Sequence, residues 1–137
     1  MAIRFLVADD STFLRQALKL ILENQEPLTI TNRGQTTVVK RDWQVIAEAA
    51  NGQEAVDKFK SARPDVVLLD ISMPIMSGIE ALKQILAEDH RACIVICTAL
   101  GGDDDIQRAY KLGAKGYIVK PLIKEWVVSA IEQAMLR

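Results

Sequence analysis

The sequence predicts a doubly wound α/β fold, a five-stranded parallel sheet covered by helices on both faces. Three observations predict it. Five short apolar runs alternate with five amphipathic segments along the 137 residues. Several of the runs are apolar at every position, as strands buried on both sides of a parallel sheet are. Polar residues able to do chemistry then collect where the runs end, on the edge at which open parallel sheets bind ligands.

The first run covers residues 3–8 and ends in Asp9-Asp10. Ser11 or Thr12 then offers an N-cap for a helix whose stripe is Leu14, Ala17, Leu18, Ile21 and Leu22. The second run is 45–49, followed by a shorter stripe of Ala55, Val56 and Phe59 that Pro64 closes. The third, 66–69, is wholly apolar and ends at Asp70; Ile79, Leu82, Ile85 and Leu86 mark the helix after it. The fourth, 93–97, ends at Thr98. Asp103, Asp104 and Asp105 suit the start of the next helix, and Gly113 its C-cap. The fifth run, 116–119, ends at Lys120-Pro121, and Val127, Ala130, Ile131 and Ala134 form the last stripe.

One connection breaks this rhythm. Residues 24–42 join the first helix to the second strand, where roughly 2–6 residues are usual. Two β-prone stretches, 27–31 and 36–39, flank Asn32-Arg33-Gly34-Gln35 and predict a β-hairpin. Chain connectivity places it near the sheet's N-terminal edge or its second-strand side, away from the polar edge. The chain otherwise reads as one domain, 1–137, with 24–42 as an insertion within it.

Half of the residues are apolar, a quarter are charged, and the net charge is −1. That composition supplies a core and gives no electrostatic reason to expect nucleic-acid binding. No apolar run approaches the roughly 20 residues of a membrane span, and no signal-peptide pattern precedes the first strand; a cytoplasmic setting is expected. Cys93 and Cys97 fall on one face of one strand, about 13 Å apart, too far for a disulfide. They are expected to be buried and reduced.

In a parallel sheet, Asp9, Asp10, Asp70, Thr98 and Lys120 all reach one edge. Three carboxylates together resist joint ionisation, and a hard divalent cation removes that repulsion. A carboxylate beside such a cation and a lysine can attack phosphorus, giving an aspartyl phosphate. Each residue alone has an ordinary reading, as a helix cap, a turn or a surface lysine. The combination at successive strand ends is what points to phosphoryl chemistry.

These motifs resemble the CheY-like receiver domains of bacterial two-component response regulators. The matching text is Leu6-Val7-Ala8-Asp9-Asp10-Ser11, Asn51-Gly52-Gln53-Glu54-Ala55, Asp65-Val66-Val67-Leu68-Leu69-Asp70-Ile71-Ser72-Met73-Pro74, Met76-Ser77-Gly78, Thr98-Ala99, and Gly113-Ala114-Lys115-Gly116-Tyr117-Ile118-Val119-Lys120-Pro121. The resemblance implies a flavodoxin-like sheet of order 2-1-3-4-5. It implies Asp70 as the phosphoacceptor, and magnesium held by Asp9, Asp10, Asp70 and the backbone carbonyl of Ser72. Lys120 would pair with Asp70 and then with a phosphoryl oxygen. Thr98 would move to the phosphoryl group, and Tyr117 would follow as an aromatic switch. The Lys120-Pro121 bond would be cis. A sensor histidine kinase or phosphotransfer protein would donate the phosphoryl group, and an unidentified output protein would read the result, as in chemotaxis-type signalling. Such a domain is a switch with self-catalysed phosphotransfer rather than a metabolic enzyme.

Three features depart from or add to the pattern. The insertion is one. Leu100, two residues after Thr98, cannot orient an attacking water, so slow self-dephosphorylation is expected. Trp126 and Ile123 fall beside the core stripe of the last helix, and with Tyr110 and Tyr117 they form the candidate partner face. The rival readings are an aspartate-nucleophile phosphatase, a phosphate sink or phosphorylation-independent binding module, and a flavin or nucleotide module. The first wants a second Asp two residues after its nucleophile on strand one, where Ser11 and Thr12 stand. The last lacks a G-x-G-x-x-G turn.

Overall fold

The computed structural model describes residues 2–99 and 102–137. In chain order the elements are β1 (Ile3–Ala8), α1 (Thr12–Glu23), β2 (Leu28–Asn32), β3 (Gln35–Val39), β4 (Trp43–Ala49), α2 (Gly52–Ala62), β5 (Val66–Asp70), α3 (Gly78–Glu88), β6 (Cys93–Thr98), α4 (Asp103–Leu112), β7 (Gly116–Val119) and α5 (Lys124–Met135). The main sheet has order β4-β1-β5-β6-β7, and its pairings are all parallel. Because β2 and β3 belong to the insertion, β4 is the second main strand and the order is the expected 2-1-3-4-5.

Burial explains the double layer. Central β5 is buried at all five positions. Alternate residues of the strands therefore feed two separate cores. On one face Leu6, Val67, Leu69, Ile94 and Ile96 pack against Ala55, Val56 and Phe59 of α2, Leu82 and Ile85 of α3, and Ala109 of α4. On the other, Phe5, Val7, Leu68, Val95 and Cys97 pack against Leu18 and Leu22 of α1 and Val127 and Ile131 of α5. The two thiols share a face as the spacing predicted and both are free, but only Cys97 is buried; Cys93, at the strand's start, packs at the margin of that second core and is half-buried, contrary to expectation. Among the described residues no helix is long and apolar enough to cross a membrane.

Local chemistry sets the helix ends. Ser11 Oγ, Asn51 Oδ1 and Ser77 Oγ each accept from the backbone N–H three residues on, capping α1, α2 and α3. Gly113, at φ 121°, ends α4 in a backbone conformation costly for a residue with a side chain.

The insertion forms the expected hairpin. Arg33 and Gly34, at φ 53° and 79°, make a two-residue turn closed by the Asn32–Gln35 pair. The segment rejoins the sheet at its N-terminal edge, where Ile3 N donates to Asp42 O at 2.8 Å. Its base also leans on α5, a contact that no local pattern predicts. Arg41 donates to Gln25 Oε1 at 3.2 Å and to Glu132 Oε1 at 2.9 Å, and Lys124 Nζ donates to Asn24 O at 3.1 Å.

Candidate functional site

The carboxyl edge of the sheet brings the predicted residues together. β1 delivers Asp9, β5 delivers Asp70, β6 delivers Thr98, and the turn after β7 delivers Lys120. Asp9 is 1% exposed, and Asp70 and Thr98 are each 5% exposed, while Asp10 stays at the surface. One carboxylate oxygen from each of Asp9, Asp10 and Asp70 lies within 4.8 Å of the others. Lys120 Nζ stands 3.1 Å from Asp9 Oδ2 and 3.3 Å from Asp70 Oδ1. A cleft of about 510 Å³ opens on this group, lined by Asp10, Asp70, Ser72, Thr98, Gly102, Asp105 and Lys120 among others. The Lys120-Pro121 peptide is cis.

The charges do not balance within the protein. Burial, and next the Asp9 carboxylate, push the Asp70 carboxyl above the usual carboxylate range; Lys120 pulls it down, and Asp10 adds a smaller push upward. Burial works to lower the Lys120 ammonium, but the Asp70 and Asp9 carboxylates outweigh it and hold the group above an ordinary lysine. Three acids with one amine leave surplus negative charge on oxygen donors, the donor set a hard divalent cation prefers. The residues present therefore fit a magnesium ion.

Several contacts hold this arrangement in place. Asp9 N donates to Ala49 O at 3.0 Å, and Ser11 N donates to Asp9 Oδ1 at 2.9 Å. Arg15 donates to Asp9 O at 2.6 Å while its Nε meets Glu48 Oε1 at 3.1 Å. This fixes the peptide between the two aspartates and so aims Asp10. Gly78 lets α3 start against the Asp70 main chain, since a Cβ there would sit 2.1 Å from Asp70 O. Gly102 does the same for α4, where a Cβ would lie 2.3 Å from Thr98 Oγ1. Thr98 Oγ1 itself donates to Ala99 O at 3.3 Å, and Lys120 N ties β7 back to Thr98 O at 2.8 Å.

Away from the cleft, Tyr117 is 44% exposed and packs edge-on against Tyr110, with ring centroids 6.1 Å apart. Both rings line a groove of about 550 Å³ shared with Trp126, Ala130 and Arg137. Trp126 is 65% exposed, so it lies outside the core, while Ile123 stands at the surface but does not line the groove.

Three contributors were not legible in the sequence as site residues. Asp105 suits a helix start by sequence, yet it lines the cleft because α4 begins over Thr98. Arg15 lies on the helix stripe's flank, and nothing in its spacing announces the Asp9 carbonyl. Gly102 carries no motif; only the close approach of Thr98 reveals it. Leu100, with its expected effect on dephosphorylation, lies outside the described residues.

Known proteins share this sequence pattern and fold. Residues 26–132 match the response regulator receiver domain family. The chain is 39% identical to the chemotaxis protein CheY of Listeria monocytogenes over 132 residues, 96% of this chain and 98% of that one. It is 40% identical to CheY of Bacillus subtilis over 135 residues, 98% of this chain and 99% of that one. Among solved structures, the response regulator domain of Thermotoga maritima CheB superposes with a TM-score of 0.83 at 32% identity, covering 100% of this chain and 98% of that one. The CheX–CheY–BeF3–Mg complex from Borrelia burgdorferi matches with a TM-score of 0.82 at 31% identity, covering 98% and 90%. With the parallel sheet, the acidic cleft and these relatives in agreement, the chain belongs to the response regulator receiver domain family.

Proposed function

We propose that this receiver accepts a phosphoryl group on Asp70 from a phosphohistidine donor, a sensor histidine kinase or phosphotransfer protein, and that the transfer requires magnesium. The convergence of Asp9, Asp10, Asp70 and Lys120 on one cleft carries this reading. Asp9, Asp10, Asp70 and the Ser72 carbonyl would hold the ion, which when bound would offset the carboxylate charge and that of the phosphoryl oxygens. The relative solved as a CheX–CheY–BeF3–Mg complex supports the same reading.

An Asp70 carboxylate oxygen attacks phosphorus in line with the phosphorus–nitrogen bond. That bond breaks, and the departing imidazole nitrogen takes a proton from solvent. Lys120, already 3.3 Å from Asp70, exchanges that ion pair for a phosphoryl oxygen. Hydrolysis later breaks the bond between phosphorus and the Asp70 oxygen by attack of water, returning the free carboxylate and inorganic phosphate. Thr98 gives up its contact with Ala99 to donate to a phosphoryl oxygen. β6 pairs Ile96 with Tyr117 and Thr98 with Val119, so a shift of Thr98 passes directly to β7. Tyr117 then turns inward, and the face bearing Tyr110, Tyr117, Ile123 and Trp126 changes shape for an output protein.

Intact mass after incubation with acetyl phosphate tests the reading. A phosphoryl adduct that needs magnesium and disappears in Asp70→Asn is expected. No adduct from acetyl phosphate or from any of a panel of phosphorylated histidine kinases, with magnesium titrated, would overturn it.

A further inference from the structure

Beyond its base, the hairpin is left uncovered by the rest of the described fold. All ten residues of β2 and β3 are exposed, including Leu28, Ile30, Val38 and Val39. The two strands form a sheet of their own, and an isolated hairpin is only marginally stable in water. Edge strands are usually blunted by lysine, proline or charge, yet none of these ten residues is charged.

The turn sets which backbone groups face outward. A two-residue turn closes on a hydrogen-bonded pair, here Asn32 and Gln35. Alternation along the ladder then commits Leu28, Ile30 and Asn32 to β3 and leaves the N–H and C=O groups of Thr29 and Thr31 on the outer edge of β2.

We propose that β2 is a docking edge for a second copy of this chain, the two β2 strands pairing antiparallel about a two-fold axis at Ile30. In that register Thr29 of each copy faces Thr31 of the other. The two outward-pointing residues thus exchange hydrogen bonds on both sides of the axis. Ile30 faces Ile30 at the close, non-hydrogen-bonded position, where side chains approach most nearly. Leu28, Ile30 and Val39 share a face by their ladder register, so two copies join these residues into one apolar stripe across four strands, with Thr37, Asn32 and Gln35 beside it.

Charge selects β2 over β3. Pairing through β2 lays the Arg33-Gly34 turn of one copy beside Pro27 and Glu26 of the other, opposite charges at both ends of the contact. Pairing through β3 about Thr37 would lay the Arg33-Gly34 turn beside Lys40 and Arg41, which Glu132 already pairs, leaving no acid for Arg33 at either end. A neutral strand flanked by an acid at its base and a cation at its turn is complementary to itself when antiparallel. A single strand pair falls short of the roughly 1,200 Å² of a stable interface, so the association is weak and depends on concentration.

Sedimentation of the full chain from about 10 μM to about 1 mM, the range in which so small an interface fills, tests the proposal. The unmodified chain should show a reversible monomer–dimer equilibrium. Ile30→Lys places two ammonium groups at the axis and should weaken it at least tenfold. Arg33→Glu should weaken it about tenfold, and Glu26→Arg combined with Arg33→Glu should restore it. None of the three side chains is buried, and unchanged thermal melting at low concentration checks the fold. A chain that stays monomeric throughout overturns the proposal. So does a dimer that survives Ile30→Lys, a double variant that fails to recover, or a dimer lost instead in Trp126→Ala, which would place the contact on the α4–β7–α5 face.

Discussion

Replacing Asp10 with asparagine should make the metal-free protein more stable and the magnesium-loaded protein less so. Asp10 adds a negative charge whose oxygen lies within 4.8 Å of oxygens on Asp9 and Asp70. Lys120 reaches those two acids, and Asp10 has no comparable ion pair among the described residues. At that separation each like-charge pair costs about 0.9 kcal/mol even at the dielectric of water. Two pairs, screened by salt at an exposed group, come to about 1 kcal/mol. For a chain of 137 residues that raises Tm by about 3–4 °C. With magnesium bound as proposed, the ranking should reverse. At ten times its dissociation constant a ligand stabilises the native state by about 1.4 kcal/mol, and a chain that has lost an ion ligand forfeits most of that. Thermal unfolding of both proteins, in EDTA and across a magnesium titration, reads the whole effect. The two stability curves should cross. An Asp10→Asn protein less stable than its parent in EDTA, or stabilised by magnesium to the same degree, would refute the electrostatic reasoning.

The same cleft makes stability depend on pH. Asp70 has its carboxyl raised in the fold, so between its unfolded and folded pKa values the native state holds more protons. Without metal, stability should therefore fall as pH rises through that window, and urea titrations in EDTA would show it; a rise would contradict the burial argument. Gly78→Ala should cost about 2–3 kcal/mol by overpacking, since the new methyl would meet Asp70 O at 2.1 Å; chemical denaturation measures the loss, and the acetyl phosphate adduct should form more slowly. Asp105→Asn removes a carboxylate from the cleft wall, so the anionic donor should react a few-fold faster at low salt, with the gain vanishing at high salt as rates from stopped reactions are compared. Burial, and next the Asp70 carboxylate, push the Cys97 thiol up to about 12, so it should resist alkylation at pH 8 until the protein is unfolded, a contrast that mass spectrometry reads directly.

Much of this molecule is written along the chain. Runs such as 66–69 are apolar on both faces, and that pattern is stable only in a strand covered from both sides. The crossovers between such strands must then be helices, and parallel strands end on a common edge. Asp9, Asp10, Asp70, Thr98 and Lys120 were thereby placed together by connectivity, because each follows its strand directly. The hairpin was equally legible, since its turn needs two residues at positive φ and Arg33-Gly34 sits between β-prone stretches.

Other features depend on how helices lie over the sheet, which no local period encodes. Trp126 borders the α5 stripe, and the apolar pattern alone does not say whether it packs inward; the packing of Val127, Val128 and Ile131 leaves it outside. Asp105 becomes part of the cleft only because Gly102 brings α4 onto Thr98. The insertion's grip on α5 joins residues as far apart as Arg41 and Glu132, a pairing set by helix placement alone. By itself the sequence determined the elements, their order and the chemistry at their ends, because strand period and chain direction are local. Tertiary structure decided which flanking residues join the cleft, which aromatic stays in solvent and where the hairpin leans, because those depend on angles and distances between elements.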